Sequence, residues 1–414
     1  MKLSEELIWR GFHAETTIKD PKFLDEGSHK FYLGADPSAD SLTIGNLAAL
    51  MMCACFERHG YKPYLLVGGA TGQIGDPKEN GERELKPIEE IEHNKKCIAE
   101  QMRRIVGVSE VFDNYDWFKD ISYLDFLRTV GKSFSMTQLL DRKFIQNRIG
   151  EGGSGISYAE FSYTLIQGYD FWHLYKEYGI DLQICGADQY GNASSGIHLI
   201  RRYENAEANV WSTPLIIDPV TGRKFGKSEG NAVWLAAADN GQGNFTPVFD
   251  FYQFWLNQPD ESVEYLLKIY TVYEREKIEE ILSEHASAPE KRFAQKALAR
   301  GVTEVVHGKA AAEATQSLSG KLFDKTAVWS ENDLKAAQSV FPCVREGISV
   351  LDALVEAGLA SSKTEARNFL KSGAISALTS GNSGAESMKI TDENTPISAP
   401  ALLKRGKNRF AAVV

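Results

Sequence analysis

The chain has 414 residues, of which 43% are hydrophobic and 25% are charged, as is usual for a globular protein of two or three domains. No apolar run approaches the ~20 residues of a membrane span, and the acidic N-terminal segment does not resemble a signal peptide. The net charge of −10 argues against a general nucleic-acid binder. Five scattered cysteines favour reduced thiols in a cytoplasmic protein over disulfides or a structural zinc site.

The first informative segment, residues 30–60, predicts a strand, a polar turn and a helix. Apolar residues from 42 to 55 recur at helical spacing, and Ser41 is predicted to cap a helix whose first turn holds Gly45 and Asn46. Unpaired N–H groups and the positive end of the helix dipole favour a phosphate there. On its own, the pattern is more typical of an ordinary turn in an α/β sheet.

Strand-like and helical runs alternate from residue 31 to about residue 233. The strand-like runs include residues 64–67 and 182–185, and the helical runs include residues 88–106 and 163–178. This order predicts an α/β, Rossmann-like parallel sheet with helices on both faces and a ligand site at the carboxyl ends of the strands. We expect this domain to span residues 1–236.

Within that domain, residues 222–228 form a glycine-containing loop with two lysines three residues apart. Lys224 and Lys227 could hold a polyanion such as a pyrophosphate leaving group. Alone, such a charged loop usually just faces solvent.

Residues 237–346 are predicted to be an all-helical domain that ends in a linker. Helices are expected near residues 247–255, 262–270, 274–285 and 289–307, whereas residues 321–346 are linker-like.

Residues 347–414 are predicted to form a small α+β domain with eight Lys/Arg and six Asp/Glu, a net charge of +2. Ser362 and Glu365 fit a capping box that opens a helix ending at Gly373. This helix carries basic residues every fourth position, and two further cations lie at a turn between strand-like segments. The stripe alone fits a solvated face or an RNA surface equally well, and the turn favours RNA. The residues are Lys363, Arg367, Lys371, Lys404 and Arg405.

The two phosphate-binding motifs, in this order, resemble the paired signatures of class I aminoacyl-tRNA synthetases. The surrounding segments resemble the bacterial tyrosyl-tRNA synthetases, and residues 347–414 resemble the αL-type RNA-binding module attached to many of them. The matching catalytic segments are Phe31–Leu42, Leu66–Pro77, Phe161–Asp170 and Leu182–Asn192. Most of the chain is covered by this resemblance.

The resemblance implies a tyrosine–tRNA ligase. Tyrosine would attack the α-phosphate of ATP, and the resulting tyrosyl-adenylate would acylate the 3′ end of tRNA(Tyr). Magnesium is expected with ATP, held mainly by phosphates and water rather than by a protein metal site. The family also implies a homodimer.

By resemblance, Tyr32 and Asp170 contact the phenolic hydroxyl of tyrosine. A carboxylate accepts from this hydroxyl while a neutral phenol donates to it, so the pair disfavours phenylalanine, which would leave both unpaired. Asp76, Tyr163 and Gln167 match the positions that hold the α-ammonium. Positions 163, 167 and 170 also share one helix face. Gln183 and Gln189 are expected to orient the carboxylate and the pocket.

The ATP site and the catalytic groups are likewise assigned by resemblance. Arg83 matches an electropositive loop position. Thr43, Asn46, Lys224 and Lys227 are the expected catalytic residues. ATP is expected to contact Gly34, Asp36, Ser38, Gly45, Asn46, Gly186, Asp188, Lys224 and Lys227.

Two positions depart from the family pattern. The chain reads Thr43-Ile-Gly-Asn46 where relatives usually have His-Ile-Gly-His, and Leu33 stands where many carry Cys. A threonine hydroxyl donates one hydrogen bond but lacks the reach of imidazole, which predicts slower activation. Two alternatives stay open at this point. One is a tryptophanyl-tRNA synthetase, and the other is an RNA-binding relative that has lost catalysis.

Overall fold

The computed structural model describes the chain except residues 27–28, 78–80, 109, 141–142, 151, 218–221, 223–224, 226, 229–230, 325–326, 382–383 and 407–408. The described chain forms two compact units. The first comprises Met1–Phe245 with Glu264–Glu274, and the second comprises Thr246–Val263 with Arg275–Val414.

A five-stranded parallel sheet is the centre of the first unit. Its strands, in chain order, are β1 (Phe31–Ala35), β2 (Pro63–Val67), β3 (Val111–Asp113), β4 (Leu182–Gly186) and β5 (Asn209–Thr213). The spatial order is β3-β2-β1-β4-β5, with every neighbouring pair parallel. The order reverses between β1 and β4, and in parallel sheets of this topology ligands generally bind at the carboxyl ends of the strands beside that switch point. The predicted α/β fold class is confirmed.

Nine α-helices lie wholly within the described part of the first unit. They are α1 (Leu3–Arg10), α2 (Ile44–Arg58), α3 (Ile88–Val106), α4 (Tyr115–Phe118), α5 (Tyr123–Thr129), α6 (Met136–Leu140), α7 (Lys143–Ile149), α8 (Tyr158–Tyr178) and α9 (Tyr190–Glu204). Two short strands, β6 (Lys227–Ser228) and β7 (Asn231–Ala232), form an antiparallel pair.

The predicted cap of α2 was wrong by two residues. Thr43, not Ser41, is the N-cap, and it forms a capping box with Asn46. The Ser41 hydroxyl instead accepts from Gln101 Nε2 at 3.1 Å and from the backbone N–H of Ala236 at 3.0 Å. These partners come from distant segments and draw Ser41 away from the helix end.

Helices α8 and α9 approach closely through two glycines. A Cβ atom on Gly196 would lie 2.4 Å from the Cβ atom of Phe171, and one on Gly168 would lie 3.1 Å from the Cβ atom of Ser195. The two glycines therefore set the spacing between α8 and α9.

The second unit contains most of the remaining helices and a second sheet. The helices that follow α9 in the chain are α10 (Val248–Leu256), α11 (Asp260–Tyr270), α12 (Arg275–Ser287), α13 (Phe293–His307), α14 (Lys309–Phe323), α15 (Glu331–Ala337), α16 (Val350–Glu356) and α17 (Lys363–Lys371). The strands are β8 (Cys343–Val344), β9 (Ile375–Gly381), β10 (Gly384–Lys389), β11 (Ala401–Arg405) and β12 (Arg409–Val413). Their spatial order is β10-β9-β11-β12-β8.

One apolar cluster joins the helices of this unit to its sheet. Its buried members include Phe249 from α10, Leu318 from α14, Leu334 from α15, and Leu402 and Phe410 from the sheet. The expectation that residues 321–346 are linker-like was wrong, because α15 and β8 lie there and both pack into the unit. The four helices expected between residues 247 and 307 are confirmed. No described helix has the length and apolar character needed to cross a membrane.

Candidate active site

The carboxylate of Asp170 lies at the buried end of a polar network. Asp170, on α8, is 2% exposed, and its two oxygens accept from Asn114 Nδ2 at 3.0 Å and Trp117 Nε1 at 2.9 Å. Burial raises the pKa of Asp170 to about 8, although both hydrogen bonds act in the opposite direction. Burial therefore disfavours the charged form of Asp170, and the Asn114 and Trp117 donors stabilise it.

Among the predicted site residues, three buried polar atoms have no hydrogen-bond partner among the described residues. They are the hydroxyl of Tyr32 and the side-chain oxygens of Gln167 and Gln183. Tyr32 and Gln183 are paired across β1 and β4, so their side chains emerge next to each other on one face of the sheet. Burial and the nearby Asp170 raise the pKa of Tyr32 far above its usual value, which keeps its phenol neutral and able to donate. Unpaired buried groups of this kind are costly unless a ligand binds them.

Asp36 follows β1 and connects this network to the next part of the site. Its oxygens accept from Thr71 Oγ1 at 2.7 Å and from the hydroxyl of Tyr163 at 2.8 Å. Asn114 Nδ2 also donates to Thr71 Oγ1 at 3.2 Å, so Asp36 and Asp170 belong to one chain of hydrogen bonds. Burial raises the pKa of Asp36, while the bonds from Thr71 and Tyr163 oppose this shift.

Asp76 lies near the end of the segment Leu66–Pro77 and is held by two amides. Gln189 Nε2 donates to Asp76 Oδ2 at 2.9 Å, and Asn192 Nδ2 donates to Asp76 Oδ1 at 3.2 Å. Arg83 Nε donates to the backbone oxygen of Asp76 at 2.8 Å. Burial raises the pKa of Asp76 to about 6. Gln189, expected to orient the substrate carboxylate, thus contacts Asp76 directly.

The N-terminus of α2 is exposed at Gly45 and Asn46. Asn46 Oδ1 accepts from Thr43 N at 3.0 Å and from Thr43 Oγ1 at 2.9 Å. The cap therefore uses the Asn46 oxygen and leaves its NH₂ group as the part that can donate to a phosphate or ribose. Gly34 and Ser38, at the end of β1 and in the following turn, are also exposed.

The lysine loop is described only in part. Lys224 lies outside the described residues, and of Lys227 only the backbone is described, in β6. The chain after β7 returns to α2, because Ile44 N donates to Val233 O at 3.1 Å and Leu235 N donates to Leu42 O at 2.8 Å. The segment that follows Lys227 is thus anchored beside the N-terminus of α2.

Gly186 ends β4, and Asp188 lies in the 3-10 turn that follows. Asp188 is exposed. A Cβ atom on Gly186 would lie 2.6 Å from Asp188 Oδ1, so the absence of a side chain leaves room at this edge.

In the second unit, the predicted basic residues are partly engaged with other groups. Lys363 pairs with Asp352 at 2.7 Å, and Arg367 pairs with Glu393 at 2.6 Å. Arg405 donates to Leu359 O at 2.5 Å and stacks on the ring of Phe369. Lys404 lies over the ring of Phe410, and Lys371 is exposed. Lys404 and Arg405 end β11 and immediately precede the predicted turn to β12.

Four residues of the first-unit network were missed from the sequence: Thr71, Asn114, Trp117 and Asn192. Their side chains contact predicted site residues that lie far away in the chain. For example, Asn114 and Asp170 are 56 positions apart, and Asn192 and Asp76 are 116 apart. The available signal was that Thr71 lies inside the segment Leu66–Pro77 and Asn192 inside the segment Leu182–Asn192, both of which match the family.

Comparison with known proteins gives the same assignment over nearly the whole chain. Residues 24–324 match the family of class I tRNA synthetases (W and Y), and residues 334–413 match the tyrosine--tRNA ligase SYY-like C-terminal domain. Tyrosine--tRNA ligase of Streptococcus thermophilus is 42% identical over 389 residues, which cover 91% of each chain. That of Bifidobacterium longum is 38% identical over 99% of this chain and 96% of its own.

A solved structure agrees with these sequence matches. A C-terminally truncated Coccidioides posadasii mitochondrial tyrosyl-tRNA synthetase superimposes with a TM-score of 0.66 at 28% identity, over 77% of this chain and 91% of its own. The protein described here is therefore a class I aminoacyl-tRNA synthetase. Within that class, the chain belongs to the tyrosine--tRNA ligase family. The tryptophanyl and non-catalytic alternatives are not favoured by these matches.

Proposed function

We propose that the chain activates tyrosine and charges tRNA(Tyr) through the residues of the first-unit pocket. The tyrosine carboxylate attacks the α-phosphate of ATP and releases pyrophosphate. A hydroxyl of the terminal ribose of the tRNA then attacks the acyl carbon and releases AMP. Neither step needs a covalent enzyme nucleophile, so the protein acts by positioning and by stabilising phosphate charge. The unpaired buried atoms of Tyr32, Gln167 and Gln183 are the observation that carries this proposal.

For tyrosine, we assign the phenolic hydroxyl to Tyr32 and Asp170. Asn114 and Trp117 hold the Asp170 carboxyl in place. The α-ammonium is assigned to Asp76, Tyr163 and Gln167. Asp36 holds the hydroxyl of Tyr163. Gln189 and Asn192 hold the carboxylate of Asp76. Gln183 lies beside Tyr32 and is assigned to the pocket wall.

For ATP, the residues at the carboxyl edge and the α2 N-terminus are the proposed contacts. Thr43 and Asn46 act at the helix end, while Lys224 and Lys227 hold the pyrophosphate. Gly34, Asp36, Ser38, Gly45, Gly186 and Asp188 complete the proposed nucleotide site. Both oxygens of Asp36 already accept hydrogen bonds, so magnesium is expected to be held chiefly by ATP phosphates and water.

For tRNA, we propose the surface formed by α17 and the β11–β12 turn. Its residues are Lys363, Arg367, Lys371, Lys404 and Arg405. The carboxylates of Asp352 and Glu393 already pair with two of these cations, so phosphates have to compete with them. Such competition favours a ligand with several phosphate groups that contact more than one of these cations at once.

We further propose a cytoplasmic homodimer. The described cysteines are all free thiols, as expected in a reducing compartment. The segment from α4 to α8 exposes several large apolar side chains that a second copy of the chain would cover. They are Tyr115, Tyr123, Leu124, Met136, Ile149 and Tyr158.

ATP–pyrophosphate exchange without tRNA tests the proposed function. We expect exchange with tyrosine but not with phenylalanine or tryptophan. Tyr32→Phe removes one partner of the substrate hydroxyl and should lower the preference for tyrosine over phenylalanine by about tenfold. Tyr64→Phe, at a buried position on the neighbouring strand, is the matched control and should leave the preference unchanged. Folded protein that exchanges with none of the three amino acids would contradict the proposal.

A further inference from the structure

Asn192 connects three segments that converge on the proposed ammonium subsite. It lies in the first turn of α9 and is 7% exposed. Its Nδ2 donates to Asp76 Oδ1 at 3.2 Å and to Gln189 Oε1 at 3.1 Å, and its Oδ1 accepts from Thr164 Oγ1 at 2.7 Å. Asp76, Gln189 and Asn192 thus form a closed ring of hydrogen bonds, which Thr164 extends to α8.

The chemistry of the partners fixes the orientation of the Asn192 amide. An ionised carboxylate only accepts, so Asp76 requires the NH₂ group of Asn192. This orientation leaves the carbonyl oxygen of Asn192 facing the Thr164 hydroxyl, which is able to donate. A flipped amide would place two acceptors against each other at Asp76.

Thr164 ties this ring to the helix that carries the tyrosine pocket. It is 4% exposed and directly follows Tyr163 on α8. Tyr163 and Asp76 are the proposed ammonium ligands, so the Thr164–Asn192 bond couples the positions of the two segments that supply them.

We propose that Asn192 is a positioning residue, which holds the Asp76 carboxylate in the orientation and charge state that bind the α-ammonium of tyrosine. The inference deepens the proposed function and rests on its assignment of Asp76 to the ammonium. Gln189 and Asn192 donate to different oxygens of Asp76, so each amide fixes one oxygen and stabilises the negative charge.

The charges that face Asp76 come from several elements. Asp36 after β1 and Asp188 after β4 disfavour its ionisation, and Arg83 favours it. Tyr163 on α8 faces it as a neutral phenol. The Gln189 bond lowers the pKa of Asp76 against burial and two like charges. The Asn192 bond is a second donor to the same carboxylate, so we expect its removal to raise the pKa of Asp76 further.

The test is the pH dependence of L-tyrosine binding, measured by equilibrium dialysis of the full chain without ATP from about pH 8 to about pH 5. Binding to the wild type should weaken as the pH falls through about 6, where Asp76 becomes protonated. Asn192→Ala should weaken tyrosine binding about tenfold near neutral pH and move this midpoint to higher pH. Asn192→Asp keeps the shape but replaces the donor by a carboxylate, so the midpoint should move further still.

Two further variants separate positioning from folding. Thr164→Val should shift the midpoint in the same direction by a smaller amount, because it removes the donor to Asn192 and leaves both amide donors to Asp76 in place. Ser194→Ala, on the same helix, is the matched control and should leave the midpoint unchanged, because the described contacts of the Ser194 hydroxyl are with Tyr190 and not with the Asp76–Gln189–Asn192 ring. The KM for ATP in pyrophosphate exchange should change less than about twofold in all four variants.

Three outcomes are distinguishable. If wild-type protein neither binds tyrosine nor supports exchange, the proposed function fails. If the wild type does both but Asn192→Ala and Asn192→Asp keep its midpoint, the inference about Asn192 alone is overturned. Equal losses for tyrosine and ATP in both variants would also overturn it, since they indicate a general structural role.

Discussion

Thr43 combines two tasks at the N-terminus of α2. It caps the helix through Asn46, and it occupies the position where the family usually has the first histidine of its signature. Because the Thr43 hydroxyl is directed to Asn46, it is less available to a phosphate than an imidazole would be.

We expect Thr43→His to raise the rate of adenylate formation. A well-placed transition-state donor is typically worth about 10²–10³ in kcat, so even partial restoration should exceed tenfold. The same change removes a cap and should lower the free energy of unfolding by about 1 kcal/mol. Single-turnover formation of tyrosyl-adenylate and a thermal melt would measure the two effects. An unchanged or slower rate would mean that Asn46 and Ser38 already supply what the histidine would add.

At the residue scale, the sequence predicts which side chains share a face of one helix, and it misses hydrogen bonds between side chains from different segments. Tyr163, Gln167 and Asp170 were predicted to share a face because helical spacing is visible in the chain, and α8 contains all three. Asn114 and Asn192 were missed because the carboxylates that they bind come from other segments. Side-chain networks of this kind need the fold before they can be recognised.

At the scale of elements, Glu6 fastens α1 to α2. Its carboxylate accepts from Arg10 at 2.6 Å, Arg58 at 2.8 Å and His59 at 2.6 Å. Glu6, Cys55 and His59 also form a group of potential metal ligands. Two guanidinium groups beside Glu6 disfavour a cation, and burial raises the pKa of Cys55 to about 12, so its thiol stays neutral. We interpret the group as a structural ion-pair cluster.

Burial alone would raise the pKa of Glu6, but the bonds from His59 and Arg10 and the charges of Arg10 and Arg58 lower it to about 2. A lowered folded-state pKa stabilises the protein above pH 4.5, and this contribution is lost as the pH falls toward 2. Glu6→Gln should therefore lower the free energy of unfolding by about 2 kcal/mol at neutral pH, and by progressively less below pH 4.5.

Urea unfolding tests this prediction. The relevant transition is that of the first unit, and it is recognised because tyrosine and ATP shift it to a higher urea concentration. Glu5→Gln, on the exposed side of α1, is the matched control and should change the free energy of unfolding by less than about 0.5 kcal/mol. A pH-independent difference between Glu6→Gln and wild type would contradict the electrostatic explanation.

The element boundaries differ from expectation where tertiary contacts decide them. Ser41 and Thr43 are both chemically suited to cap α2, and the choice depends on Gln101 and Ala236, which hold Ser41 elsewhere. Helix α15 was missed although Ser330 and Asp333 form a capping box. At seven residues, it is too short for a clear apolar period.

At the scale of the whole molecule, a C-terminal truncation removes part of the apolar cluster of the second unit. Removing residues 347–414 deletes β9 to β12 and uncovers Phe249, Leu318 and Phe341, which pack against that sheet. The division of the chain into three domains stays a prediction, and this core makes the deletion a test of it.

We expect the chain without residues 347–414 to keep ATP–pyrophosphate exchange, because the proposed pocket lies in the first unit. Charging of tRNA should fall by more than about tenfold, because the proposed RNA surface is lost. Lys371→Gln in the full chain is the companion variant, which leaves the apolar core intact. The slope of the logarithm of the tRNA binding constant against the logarithm of the salt concentration should fall by about 1. Loss of exchange from a truncated chain whose first unit still melts cooperatively would count against the domain division.

The close contact between α8 and α9 limits how the amino-acid preference of this scaffold can change. A side chain at Gly196 would collide with Phe171, and one at Gly168 would require Ser195 to shift. Either change pushes the two helices apart and strains the Thr164–Asn192 bond between them. A directed library, or natural divergence toward another amino acid, therefore has to work through side chains that project from a fixed pair of helices. Variation at these two glycines would sample damaged pockets rather than new specificities.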